Sequence, residues 1–150
     1  MPSKIVQDFM EALAETEASH DPTPLVNLFT EEAEMDRMTG QEHLSGRGAA
    51  LRFWSEYLSA FRDIQSDVYH VVEQDNQIVM EWTSRAETAR GKSFEYCGVS
   101  ILETADDQVC KFRTYYDSAK VLSANAAGSK SSTSQRSSAR DAGVKRGYGG

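Results

Sequence analysis

Apolar positions recur every four residues at Ile5, Phe9 and Leu13, with Val6 and Met10 beside them. That spacing predicts one helix with a single apolar stripe. Ser3 stands where an N-cap belongs, and the helix should end near Ser19–His20, ahead of the Asp21-Pro22 break. Thr23-Pro24 predicts a second, short helix with Thr23 as cap and Pro24 in its first position. Leu25, Val26, Leu28 and Phe29 give it a buried side. Residues 33–38 read as a short strand and 39–48 as a loop punctuated by Gly40, Gly46 and Gly48. A third helix follows over 49–62, with Ala50, Trp54, Tyr57, Leu58 and Phe61 on one face and Phe53 beside them.

From Ile64 the period shortens to two. Segments 68–73, 78–86, 93–103 and 109–117 are rich in β-branched and aromatic residues, and polar turns separate them. Short links favour antiparallel neighbours in a meander. Three helices with one early strand, then four strands, make an α+β domain. A curved antiparallel sheet wrapped around helices leaves a cone with one open end, a shape that holds a pocket. From Ser123 the chain is rich in Ser, Gly and Ala, with Val144 and Tyr148 its larger apolar residues. Such a segment buries too little surface to offset its ordering entropy. The expected organisation is one domain over 1–122 and a disordered basic tail over 123–150.

Charge and composition narrow the partners. The chain carries a net charge of −7. The tail holds five Lys/Arg against one Asp, so the domain itself is more acidic than the total. An acidic body argues against nucleic acid as a partner. The opening MPSKIVQDFMEALAE mixes charge with apolar residues and is not read as a secretory signal, and no run is long and apolar enough to span a membrane. A cytoplasmic location is the default expectation. Cys97 and Cys110 lie at unequal distances from the turn between the last two strands, so they should not face each other. Both are expected to be reduced, buried apolar groups. No Cys/His cluster has zinc spacing, and no phosphate-binding glycine loop, nucleophile elbow or dinucleotide fingerprint occurs. Neither a metal nor a cofactor is expected.

Three stretches carry a family resemblance. They are LVNLFTEEAEMD, a helix running into a strand that ends in an acid; LSGRGAALRFWSEYLSAF, a glycine-punctuated approach to an aromatic helix; and VCKFRTYYDSAKVL, a last strand ending in Tyr-Tyr-Asp. In this order and spacing, the body from Lys4 to Leu122 resembles the SnoaL-like polyketide cyclases and ketosteroid isomerase-type domains of the nuclear transport factor 2-like superfamily. The resemblance implies a conical α+β barrel, often a homodimer joined through the open sheet face. It does not imply one reaction, because fold does not fix function.

The same resemblance names candidate acids. Asp36 lies near the place of the isomerase general base, and Asp117 near that of the cyclase acid/base aspartate. A carboxylate at a pocket wall can shuttle a proton beside a carbonyl if burial raises its pKa. The alternatives are that Asp36 belongs to an exposed acidic edge with Glu31, Glu32 and Glu34, and that Asp117 is a helix cap or a partner of Arg113. The isomerase oxyanion donor on the strand falls by spacing at Val99, which has no side-chain proton, and the first helix carries no tyrosine. Tyr57, Tyr116 or a histidine would have to substitute. The run Arg113 to Asp117 is also similar to the last strand of limonene epoxide hydrolases, with Thr114 in place of their central carboxylate. Arg85 and Glu87 would mimic the remaining pair only in a shifted register.

Pocket lining follows from alternation along strands. Phe112, Thr114 and Tyr116 share one face, as do Cys97, Val99 and Ile101. By analogy with the family these faces point inward, with Trp54 and Tyr57 closing from the helix and His43 near the mouth. His70, in a strand, is read as a hydrogen-bonding residue. Phe94, Tyr96, Lys111, Arg113 and Tyr115 would then face outward and suit a dimer contact. The leading expectation is a cofactor-free acid/base enzyme of isomerase or cyclase type, acting on a small apolar carbonyl compound with Asp36 and Asp117 as shuttles. The rival is a ligand-binding or protein-interaction module with no turnover, and an epoxide hydrolase is the weaker third.

Overall fold

In the computed structural model, which describes residues 2–39 and 41–129, the four-residue stripe becomes α1 (Lys4–Ser19), with Val6, Phe9, Ala12 and Thr16 buried. His20 takes a left-handed conformation (φ 61°) and its N–H closes the helix on the Thr16 carbonyl at 2.9 Å. The Asp21 carboxylate accepts the Thr23 N–H at 3.0 Å and so starts α2 (Thr23–Val26). After it come β1 (Phe29–Arg37), β2 (Glu42–Leu44), α3 (Ala49–Ser59), β3 (Asp63–Gln74), β4 (Gln77–Glu87), β5 (Ser93–Ala105), β6 (Gln108–Tyr116) and α4 (Ser118–Ser129).

The strands form one six-stranded sheet in the order β2-β1-β6-β5-β4-β3. β3 to β6 are the expected antiparallel meander. The early strand β1 lies parallel to β6 and antiparallel to β2. Strand β2 falls inside the segment expected to be a loop. Three residues are too few to display an alternation, and only pairing with β1 makes them a strand. The β5–β6 hairpin turns at Asp106 and Asp107, both left-handed (φ 52° and 64°), as a tight two-residue turn demands.

α1 packs on β3 and α3 on β1. Beneath them a large core joins Phe9, Phe29, Met35, Phe53, Trp54 and Phe112 with its aliphatic neighbours. A smaller cluster holds Phe61, Ile64, Ala86 and Tyr96. Tyr57 packs against both. α4 rests on β5, and Ala124 is buried there. The boundary expected at Ser123 therefore falls within α4, which runs on to Ser129. Alanine-rich sequence favours helix, and the contact with β5 holds it. The rest of the expected tail, 130–150, lies outside the described residues.

Both cysteines are free, as expected, but neither is buried. Cys97 is exposed and Cys110 half-buried. Among the described residues, no helix is long and apolar enough to cross a membrane, and no group of three or more His, Cys, Asp or Glu could hold a metal ion.

Candidate functional site

The two core clusters do not close on each other. Between them lies a cavity of about 300 Å³, lined by Phe53, Trp54 and Tyr57 of α3, Trp82 of β4, Tyr96 of β5, and Phe112, Thr114 and Tyr116 of β6, among others. Arg37, Glu56, Ala60, Phe61 and Val121 complete the lining. A smaller void of about 50 Å³ lies deeper, towards α1, and shares Trp54, Tyr57, Trp82 and Phe112 with the first. The walls are mostly aromatic, which suits a flat apolar guest.

Gly98 shapes this wall. A Cβ placed there would stand 2.6 Å from the Trp82 ring and 2.4 Å from the Tyr115 carbonyl oxygen. The missing side chain lets the indole of Trp82, opposite Gly98 in the β4–β5 register, lie across the strand. Trp82 Nε1 donates to Ser100 Oγ at 3.0 Å, and Ser100 Oγ meets Thr114 Oγ1 at 2.9 Å. Trp54 Nε1 is buried and makes no hydrogen bond among the described residues.

The polar heart of the site is a carboxylate that the sequence reading did not single out. Glu17 of α1 is 4% exposed. Its Oε2 accepts the Tyr57 hydroxyl at 2.6 Å and the Ser66 hydroxyl at 2.7 Å, and its Oε1 accepts the Ser66 N–H at 2.7 Å. Ser66 Oγ lies 2.6 Å from Ser84 Oγ. Burial pushes the Glu17 carboxyl up from its ordinary value, against the pull of its hydrogen bonds to Tyr57 and Ser66, and Asp63 adds to the rise. Burial and the neighbouring Glu17 hold the Tyr57 phenol well above its usual range, and burial does the same to Tyr96. A signal was present. Glu17 follows Phe9 and Leu13 at the same four-residue spacing, so it is an acid on an apolar stripe.

Of the residues anticipated for the pocket, Trp54, Tyr57, Phe112, Thr114 and Tyr116 line the cavity. Cys97 and Val99 do not. The buried positions of β5 are Tyr96, Ser100 and Leu102, so the expected phase of this strand is inverted. Both rows of β5 carry apolar residues, and alternation alone does not choose between them. Gly98, in the inner row opposite Trp82, was the clue.

Both anticipated catalytic aspartates stand outside the cavity. In β1 the buried positions are Phe29, Ala33 and Met35, and the alternation at Ala33 and Met35 turns Asp36 to the outer face. There it pairs across the ladder with His43 and binds its Nδ1. His43 is thus on the outer edge of the sheet, not at the mouth. The next residue, Arg37, turns inward instead: it lines the cavity, stacks 4.5 Å over the Phe53 ring and is held by Glu42. Asp117 is exposed and accepts the Lys120 N–H at 3.4 Å as a cap of α4. Arg113 pairs with Glu103 at 3.6 Å, not with Asp117. His70 of β3 meets Glu81 on the sheet surface at 2.7 Å.

A profile of the SnoaL-like domain matches residues 6–112. Among curated proteins none matches the sequence. Among solved structures, a ketosteroid isomerase-like protein from Catenulispora acidiphila, in complex with trimethylamine, is similar at a TM-score of 0.70 and 14% identity, over 82% of this chain and 92% of that one. TerC co-crystallised with polyporic acid is similar at 0.70 and 12%, over 81% and 97%. A putative SnoaL-like polyketide cyclase from Jannaschia sp. gives 0.66 and 15%, over 83% and 95%. At such identities these likenesses speak for the fold alone.

Proposed function

The chain belongs to the SnoaL-like domain family, and from that premise we propose that it binds a small, largely apolar carbonyl compound and moves a proton on it without a cofactor. The observation that carries this reading is an aromatic cavity of about 300 Å³ whose wall includes three phenols, Tyr57, Tyr96 and Tyr116, the first of them held by one buried carboxyl. Its size is at the lower end of small-molecule sites, about 300–1,000 Å³. The small molecules bound by TerC and by the Catenulispora protein support the use of this fold as a container.

The chemistry moves away from Asp36 and Asp117. Among the lining residues the carboxylate is Glu56, at the rim on α3. In this reading Glu56 takes a proton from the carbon next to the carbonyl, and a phenol donates to the oxygen on which charge develops. Returning the proton at the same or another carbon gives isomerisation, and attack of the carbanion on a second carbonyl gives ring closure. A second reading, binding without turnover, is favoured by one observation: the aspartates that the family resemblance nominates both lie outside the cavity.

One experiment separates the two. A naphthyl methyl ketone is titrated by quenching of Trp54 and Trp82, then incubated with the protein in deuterium oxide. Saturable binding that Ala60→Trp blocks, together with methyl exchange that Glu56→Gln removes, is the expected result. Binding without exchange supports the container reading. No binding, or binding that survives the plugged cavity, overturns both.

A homodimer belongs to the same proposal. Tyr69, Val72 and Tyr115 are exposed on the sheet, and an apolar face of this kind suits a subunit contact. Tyr115→Asp should then yield monomers in sedimentation.

A further inference from the structure

Hydroxyl protons in the cluster under Tyr57 can be counted, because each hydroxyl has one to give. Take Glu17 ionised first. Tyr57 and Ser66 each donate their hydroxyl proton to its Oε2. Ser84 then donates to Ser66 across their 2.6 Å contact. Every proton is spent inside the cluster. Tyr57 then offers a guest lone pairs and no donor, while Arg37 and Tyr116 elsewhere in the lining keep theirs.

Now add one proton to Glu17. Its carboxyl must donate, and it has two exits. Donation to the Tyr57 oxygen frees the Tyr57 proton. Donation to Ser66 turns the Ser66 proton towards Ser84. The first exit gives the cavity a further hydrogen-bond donor at Tyr57. The wall changes there through a proton that never enters the cavity.

We propose that Glu17 is a specificity-determining residue acting through Tyr57: protonated, it turns this part of the wall towards a carbonyl oxygen, and ionised, towards a hydroxyl or phenol. This rests on the reading of the cavity as a ligand site. The groups facing the cluster bear on where the switch falls. Tyr57 comes from α3, Asp63 from β3 and Tyr96 from β5. Helix α2 brings no titratable side chain. His20, at the end of α1, turns its Nε2 to the Phe61 carbonyl oxygen at 3.5 Å. Arg37 acts on Tyr96 from the mouth. Burial and Asp63 both raise the Glu17 carboxyl above its ordinary value.

The test is a pair of probes of one shape, a naphthyl methyl ketone and a naphthol, titrated from about pH 4 to about pH 8, where neither probe ionises. In the unaltered protein the ketone should weaken and the naphthol strengthen as pH rises, the ratio of their affinities changing about five- to tenfold, the worth of one hydrogen bond. Glu17→Gln keeps an acceptor for Ser66 and a permanent donor in place of the carboxyl proton. It should favour the ketone at every pH. If that variant does not fold, carbon-13 NMR of glutamate-labelled protein supplies the midpoint of Glu17, which must coincide with the midpoint of the affinity ratio. A ratio that stays flat, or one that titrates apart from Glu17, overturns the proposal while leaving the cavity reading intact. Failure of both probes to bind, or binding unaffected by Ala60→Trp, overturns the cavity reading and this one with it.

Discussion

Two carboxylates of this protein each meet a ring, and they behave as opposites. Asp36 binds His43 on the outer edge of the sheet, where the two side chains are 27% and 53% exposed. Glu17 binds Tyr57 beneath α3, at 4% exposure, with Ser66 completing its shell. Water screens the first pair, and such contacts contribute little. The second has lost its water, so each hydrogen bond must replace what hydration gave. The family resemblance directs attention to Asp36. Burial sets Glu17 apart, holding its carboxyl above the ordinary value.

The sharpest way to break this contrast is Glu17→Ala. It leaves the Ser66 N–H and the Tyr57 hydroxyl without their acceptor in the interior, and should cost about 3 kcal/mol in urea unfolding. Gly98→Ala comes next. The added methyl group drives Trp82 and the β6 backbone apart, and a loss of about 2 kcal/mol is expected, with weaker ketone binding, read by unfolding and fluorescence.

The pH dependence sharpens the contrast further. The folded protein holds the Glu17 proton more tightly than the unfolded chain does, whose carboxyl titrates near 4.5. Stability from this group is therefore fully present below that value and is lost as pH rises through the raised folded pKa. Glu17→Gln should flatten that part of the stability–pH curve. The smallest effect belongs to Asp36→Asn, which should change stability by less than about 1 kcal/mol and leave ketone binding untouched. A large loss of binding there would return the chemistry to the outer edge.

The elements were largely legible in the chain. The periods of four and two placed α1, α3 and the meander and put Phe112, Thr114 and Tyr116 on one strand face and Trp54 and Tyr57 on one helix face, while the analogy with the family turned those faces towards the cavity they line. Strand β2 was not visible, because three residues have no period of their own. The face of β5 was read the wrong way round. Cys97, Val99 and Ile101 look as fit for an interior as Tyr96, Ser100 and Leu102 do, and the room that Gly98 leaves for Trp82 settles the matter only in three dimensions.

Local patterning, which needs only neighbours a few positions away, determined that this chain makes helices first, a curved sheet afterwards and a hollow between them. It also placed an acid on the buried stripe of α1, without saying what that acid would meet. The tertiary structure decided that Glu17 lies against Tyr57 and Ser66, forty and forty-nine positions onward, and that Arg37 rather than Asp36 turns inward. A strand's inward face is fixed by which neighbours it pairs with, and the burial that makes a carboxyl chemically distinct is supplied by residues far away along the chain.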